Sequence, residues 1–416
     1  MTKAVQTSGT HLRAVSTALA LAMVLVPPVA AQGQTYKVLW AFSPGQDGAE
    51  PAAGLVRDAA GNLYGTTAFG GASDWGTVFK LDKSGNEGAL YSFTGTDGDG
   101  AEPEAGLVRD AAGNLYGTTQ WGGSASGYSG CGTVFMLHKD GTETVLYSFT
   151  GTGGDGANPY GGLVRDSGGD LYGTTYYGGA SGGGTVFEVA ANGKETVLYS
   201  FSGSPDGQFP DAGLVRDAAG NLYGTTQVGG ASDSGTVFKL SKAGKETVLY
   251  NFCSEQNCVD GAGPWAGLVR DAAGNLYGTT VGGGDPTCNA PWEGCGVVFM
   301  LDKTGKQTVL YSFAGPPDGL SPLAGLIRDE AGNLYGTTIR GGDLKCANDL
   351  GCGTVFMLDK TGKETVLHNF CSLHNCTDGA SPVAGLVRDA KGSLYGTTAG
   401  AIAGGYGYGT VFKLTP

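Results

Sequence analysis

Aspartates recur in a fixed setting that could do chemistry. Asp47, Asp99, Asp155, Asp206, Asp260, Asp318 and Asp378 each open a D-G-x-x-P segment. If these segments meet at one channel mouth, their oxygens could gather a calcium ion, which wants several oxygen ligands at short range. No copy carries the dense Asp/Asn ladder of a dedicated calcium loop, and Asp-Gly before Pro is ordinary turn chemistry. The expectation is therefore no cofactor and no metal, with calcium as the standing alternative.

Cysteine and histidine pose a second question. Cys371, Cys376, His368 and His374 have the ligand types of a Cys2His2 zinc set. The sister segment Cys253–Cys258 keeps the cysteine spacing without any histidine, which favours disulfides in both. Cys288 with Cys295 and Cys346 with Cys352 complete four close pairs, and Cys131 stands alone among the nine cysteines. Paired cysteines of this kind belong to oxidising compartments. Gly179–Gly183 satisfies the nucleophile-elbow pattern G-x-S-x-G, but that pattern needs a strand-to-helix turn which this Gly-rich loop cannot offer. Paired carboxylates for glycoside or lyase chemistry cannot be singled out among so many loop aspartates.

Aromatic residues that break the repeat are more informative. Trp75, Trp121, Tyr128, Tyr160, Tyr176, Tyr177, Phe209, Trp265, Trp292, Tyr406 and Tyr408 stand in variable loops among Asn, Asp, Ser and Gly. Such side chains suit flat polar partners, a carbohydrate or an extracellular protein. All of them but Tyr408 form the candidate ligand-binding set.

The elements that position these residues come from one phrase, GLVRDAAGNLYGTT, at Gly54–Thr67. It returns at Gly106, Gly162, Gly213, Gly267, Gly325 and Gly385, at intervals of 52, 56, 51, 54, 58 and 60 residues. A period near 50 residues made of strand-like pieces points to a propeller or related array. In the first copy the strands read Gly54–Arg57, Leu63–Thr67, Thr77–Leu81 and Ala89–Phe93, rich in the β-branched and aromatic residues that strands prefer. Four antiparallel strands are the content of one blade. Tyr36–Phe42 reads as a fourth strand and the last copy stops after its third, so the two ends complete one sheet and remove an open edge. The fold expected is an all-β, single seven-bladed propeller over residues 32–416. The seven Arg–Asp pairs from Arg57/Asp58 to Arg388/Asp389 recur in every blade and are read as structural. Long loops between strands two and three and between four and one gather on one face, where binding sites usually sit.

The phrase GLVRDxxGNLYGTT, followed by GTVFKL and ETVLYSF, resembles the GloVer tandem repeats of secreted bacterial proteins, which are called choice-of-anchor because their C-terminal anchors differ. The likeness runs from Tyr36 to the end and implies an exported, cell-surface or extracellular repeat protein, with no established activity or catalytic residue. The closing Leu414-Thr415-Pro416 is not a sorting tail, which turns the expectation towards free secretion or periplasmic residence.

Charge and the N-terminus agree with export. Lys3 and Arg13 precede the apolar run Ala14–Val26, and Ala30-Ala31 provides small residues for cleavage, the order of a secretory signal at 1–31. No later stretch is apolar enough to span a bilayer. A net charge of −13 excludes nucleic acid, whose phosphates call for Lys and Arg. The reading is a secreted or cell-surface, monomeric, non-catalytic binding module. The alternative is a propeller enzyme acting on polysaccharide through loop carboxylates.

Overall fold

Each repeat folds into one sheet. In the first, Val56–Arg57, Leu63–Thr67, Thr77–Leu81 and Glu87–Ser92 pair in sequence as an antiparallel meander. The same order recurs in every repeat, and together they make a seven-bladed propeller. The computed structural model describes residues 1–2, 34–43, 45, 47–125, 127–288, 294–344, 350–400 and 407–415. Residues 3–31 of the proposed signal, together with Trp292, Cys346 and Tyr406, lie outside the described residues. No helix among the described residues is long and apolar enough to cross a membrane.

Sequence and strand length match through packing. Every residue of Leu63–Thr67 is buried, and Gly65 is glycine because a Cβ there would stand 2.7 Å from the Phe79 ring. The inner strand is shorter than Gly54–Arg57, since only Val56–Arg57 pairs with its neighbour. Gly54 and its counterparts instead line the axis, where successive blades nearly touch. A Cβ on Gly106 would lie 3.3 Å from the Gly54 carbonyl oxygen, and Gly54 faces Gly385 in turn.

The ring closes as the strand pattern requires. Thr35–Ala41 pairs antiparallel with Thr410–Thr415 and becomes the outer strand of the last blade. Contacts between blades then repeat without a break. Arg109, on the inner strand of the second blade, lies over the Tyr64 ring of the first at 5.8 Å. Arg57 of the first lies over Tyr395 of the last at 5.7 Å. Phe93 meets Phe135 edge to face at 5.1 Å, and Phe42 meets Phe79 in the same way at 5.2 Å across the closure. Aromatic pairs in this geometry contribute about 0.5–1.5 kcal/mol beyond their buried area. The Arg–Asp pairs are structural, because Asp58 accepts from Asn62 and Tyr64 within its own turn.

Two features differ from the sequence reading. The long segment between blades is not irregular: Gly100–Ala101 pairs with Trp121–Gly122 in a small ribbon that recurs at Gly156–Ala157 with Tyr177–Gly178 and in two further repeats. The D-G-x-x-P aspartates also do not gather at the channel mouth. Asp99 accepts from the Tyr91 hydroxyl at 3.1 Å, from the Thr94 backbone N–H at 2.7 Å and from the Gly100 N–H at 2.7 Å. Tyr91 belongs to the outer strand, so the carboxylate is spent on pinning its own loop at the blade's outer edge.

In two blades a side chain near the start of the outer strand is tied to the loop before that blade. Gln307 Nε2 donates to the Asp260 carbonyl at 3.1 Å, and the Tyr36 hydroxyl donates to the Asp378 carbonyl at 2.5 Å. The other five blades place a glutamate at this position, namely Glu87, Glu143, Glu195, Glu246 and Glu364, each with a buried Oε1 that has no hydrogen-bond partner. Burial and then the nearby D-G-x-x-P aspartate push each of these carboxyls up to about 7. Gln307 and Tyr36 mark the position as a donor, and a carboxyl can donate only when protonated.

Candidate functional site

The inner strands converge on a cavity of about 580 Å³ at the loop end of the channel. Its rim is built by one repeated device. The residue before each D-G-x-x-P proline takes a left-handed conformation, with φ of 54° at Glu102 and 56° at Asn158. Its N–H and C=O are both bound: Glu102 N–H donates to Trp75 O at 3.0 Å, and Gln120 N–H donates to Glu102 O at 3.0 Å. Two residues after the proline, the Ala105 carbonyl accepts from Thr66 of the preceding blade at 3.1 Å. The equivalent bond from Thr397 to Ala53 at 3.1 Å completes the circle.

Between the fixed proline and the fixed carbonyl stands one variable residue per blade. The seven are Ala52, Glu104, Tyr160, Asp211, Trp265, Leu323 and Val383, and all of them line the cavity. A second variable column, directly after Gly-Thr-Thr, adds Tyr176 and Gln227. The mouth is therefore two-sided. Glu104, Tyr160, Tyr176, Asp211 and Gln227 make a polar wall, while Leu323, Val383 and Ala52 make an apolar one, with Trp265 between them.

Within the polar wall the rings support one another. Tyr160 meets Tyr176 edge to face at 5.3 Å, and Tyr176 stacks on Phe209 at 4.8 Å. The Tyr176 hydroxyl donates to Gln227 Oε1 at 2.6 Å, and Gln120 Nε2 donates to the Tyr160 oxygen. Burial pushes the Glu104 carboxyl up to about 7, with Glu102, Asp211 and Glu50 adding like-charge repulsion. Burial alone pushes the Asp211 carboxyl up to about 6. Among the described residues, no lysine, arginine or histidine lines the cavity.

The structure divides the aromatic set. Tyr160, Tyr176, Tyr177 and Trp265 line the cavity, and Phe209 packs behind them. Trp75, Trp121 and Tyr128 form a separate cluster at the junction of the first two blades. There Tyr128 lies edge-on to Trp75 at 4.9 Å and to Trp121 at 5.7 Å. Tyr408 is exposed near the closing strand. Glu104, Asp211 and Gln227 were missed by reading residue types. Their signal is positional, since they occupy the one or two columns that vary inside a nearly constant phrase.

Cysteine chemistry follows the sequence reading. Cys253–Cys258, Cys288–Cys295 and Cys371–Cys376 are bonded pairs, Cys352 is also disulfide-bonded, and Cys131 is free. The Cys352, Cys371 and Cys376 sulfurs lie within 4.8 Å of one another, which places Cys352 beside the Cys371–Cys376 disulfide. His368 is a residue of the outer strand Glu364–Asn369 and stacks on Tyr36 at 3.8 Å.

The model of the Gloeobacter/Verrucomicrobia repeat matches this sequence in three overlapping stretches, residues 24–218, 124–288 and 254–416. The chain belongs to that repeat family. No curated protein matches it. Among solved structures, the extracellular domain of a hybrid two-component system from B. thetaiotaomicron resembles it with a TM-score of 0.57 at 9% identity, covering 91% of this chain and 39% of that one. A second structure, the extracellular domain of a one-component system from the same organism, gives a TM-score of 0.52 at 9% identity over 86% of this chain and 37% of the other. This member of the repeat family thus spans less than half of either structure, and at such identities the likeness is one of fold.

Proposed function

We propose that this repeat protein is an exported, non-catalytic binding module that seats a carbohydrate in the channel mouth. The observation that carries the reading is the column of seven mouth residues, which varies while the backbone holding it is constant. Variation confined to a cavity rim is what a ligand site on a common scaffold requires. Aromatic faces beside amide and carboxyl groups suit the mixed polar and apolar surface of a sugar ring. Disulfides on the loop face and the apolar run Ala14–Val26 behind basic residues support work outside the cytoplasm.

A glycan array with the purified chain, read for binding and for shortened products, tests the proposal. Binding without cleavage, weakened by Trp265→Ala and Tyr176→Ala, supports it. No saccharide bound by the parent would end it. One observation favours a second reading: Glu104 and Asp211 share the cavity with carboxyls raised to about 7 and about 6, a range suited to proton donation near neutral pH. Shortened chains that disappear in Glu104→Gln would make the protein a hydrolase or lyase.

A further inference from the structure

Resting on that reading, we propose that the saccharide carries a protonated amino group, and that Glu104 and Asp211 hold this ammonium against the tyrosine wall. Charge is the first argument. Among the described residues, the cavity is lined by two carboxyl groups and by no cationic side chain to balance them. Buried carboxylates are ordinarily paired, and an unpaired one lowers its cost by taking up a proton. Both groups are pushed in that direction: burial raises Asp211, while Glu104 is raised first by burial and then by Glu102, Asp211 and Glu50. The charges that raise Glu104 are those of Glu102, Asp211 and Glu50, all acidic. A neutral sugar would leave that repulsion in place, whereas an ammonium ion would remove it.

The rings supply a second, independent argument. Tyr160, Tyr176, Tyr177 and Trp265 line the same space as the carboxyls. Two of the hydroxyls are already committed, Tyr176 as donor to Gln227 and Tyr160 as acceptor from Gln120. What these residues offer a ligand is mainly π surface. Aromatic faces attract cations, and more strongly where water is excluded. An ammonium beside carboxylates also forms the shorter, stronger class of hydrogen bond. The apolar wall of Leu323 and Val383 leaves room for the ring's carbon face on the opposite side.

The test is calorimetric titration of the full chain with three oligosaccharides of equal length. They are a glucosamine oligomer with free amines, its fully N-acetylated counterpart, and the neutral glucose oligomer with the same linkage; putrescine serves as a cation without sugar. The glucosamine oligomer is expected to bind about 10-fold tighter than either of the others. Its binding should release protons, seen as a heat that changes with the buffer's ionisation enthalpy. Glu104→Gln and Asp211→Asn should each lose about 10-fold for that oligomer while the melting temperature stays high. Equal affinity for all three saccharides would overturn the cation inference and leave carbohydrate binding standing. Binding of putrescine with no saccharide bound would keep the charge assignment and overturn the sugar. Silence from all four would end both.

Discussion

Raising the pH through neutrality should loosen the propeller. Glu87, Glu143, Glu195, Glu246 and Glu364 occupy the place where Gln307 and Tyr36 donate to a carbonyl of the preceding loop. Their carboxyls rise from 4.5 to about 7 on folding, through burial first and then the neighbouring aspartate. A group whose folded value lies above its unfolded one binds more protons in the folded state. Its contribution is whole below the unfolded value of 4.5 and is lost as pH rises through about 7. Such a shift corresponds to about 3 kcal/mol per group before screening. These side chains are only half-buried, and solvent cuts the figure to about 1–2 kcal/mol each. Because the five sites lie in different blades, their contributions add, to roughly 5–10 kcal/mol between pH 5 and 8. Thermal unfolding followed by circular dichroism should therefore show a melting temperature that falls by roughly 10 °C over that window. Replacing Glu143, Glu195 and Glu246 by glutamine copies Gln307 and should remove more than half of the fall. A melting temperature that is flat or rising from pH 5 to 8, or a triple variant with the parent's full slope, would refute the donor assignment.

Other outcomes follow from the same geometry. Deleting Thr35–Ala41 exposes the edge of the last blade, and the truncated protein should melt lower or aggregate by light scattering; a parent-like melt would contradict the closure. Gly117→Ala places a Cβ 2.7 Å from the Phe135 ring and should cost about 1–3 kcal/mol by urea unfolding. Reducing Cys371–Cys376, or replacing both residues by serine, should cost about 2 kcal/mol, read as a lower melting temperature on adding reductant. Trp265→Ala should weaken saccharide binding, while Trp121→Ala, outside the cavity, should leave titrated affinity within about 2-fold.

Blade count and closure were legible in the sequence because they are written seven times over. TVFKL next to ETVLYSF can only be adjacent strands, and YKVLWAF matches the strand that the last repeat lacks. The ribbon at Gly100–Ala101 was not legible. Gly, Asp and Ala have low strand propensity, and the pairing depends on a left-handed residue such as Glu102, whose φ is 54°. Placing the aspartates failed for a related reason: Asp-Gly fixes a turn but not which end of the blade the carboxylate faces. For the candidate cavity, residue type picked out Tyr160, Tyr176, Tyr177 and Trp265, which line it, together with Trp75 and Tyr128, which lie elsewhere. Glu104 and Asp211 look like any other loop acid until the repeats are stacked and the column after the proline is read downwards.

That column has a consequence for how such proteins diversify. The bonds that repeat from blade to blade run through a backbone N–H, two carbonyls, a threonine and an arginine lying on a tyrosine, and these leave the mouth side chain out; the bond from Gln120 to Tyr160 is an addition at one junction. The frame therefore does not register which residue it displays. Specificity and stability are inherited on separate letters of the same repeat. Unequal exchange between repeats can deal a new hand of seven mouth residues while the repeated joints of the ring stay as they were.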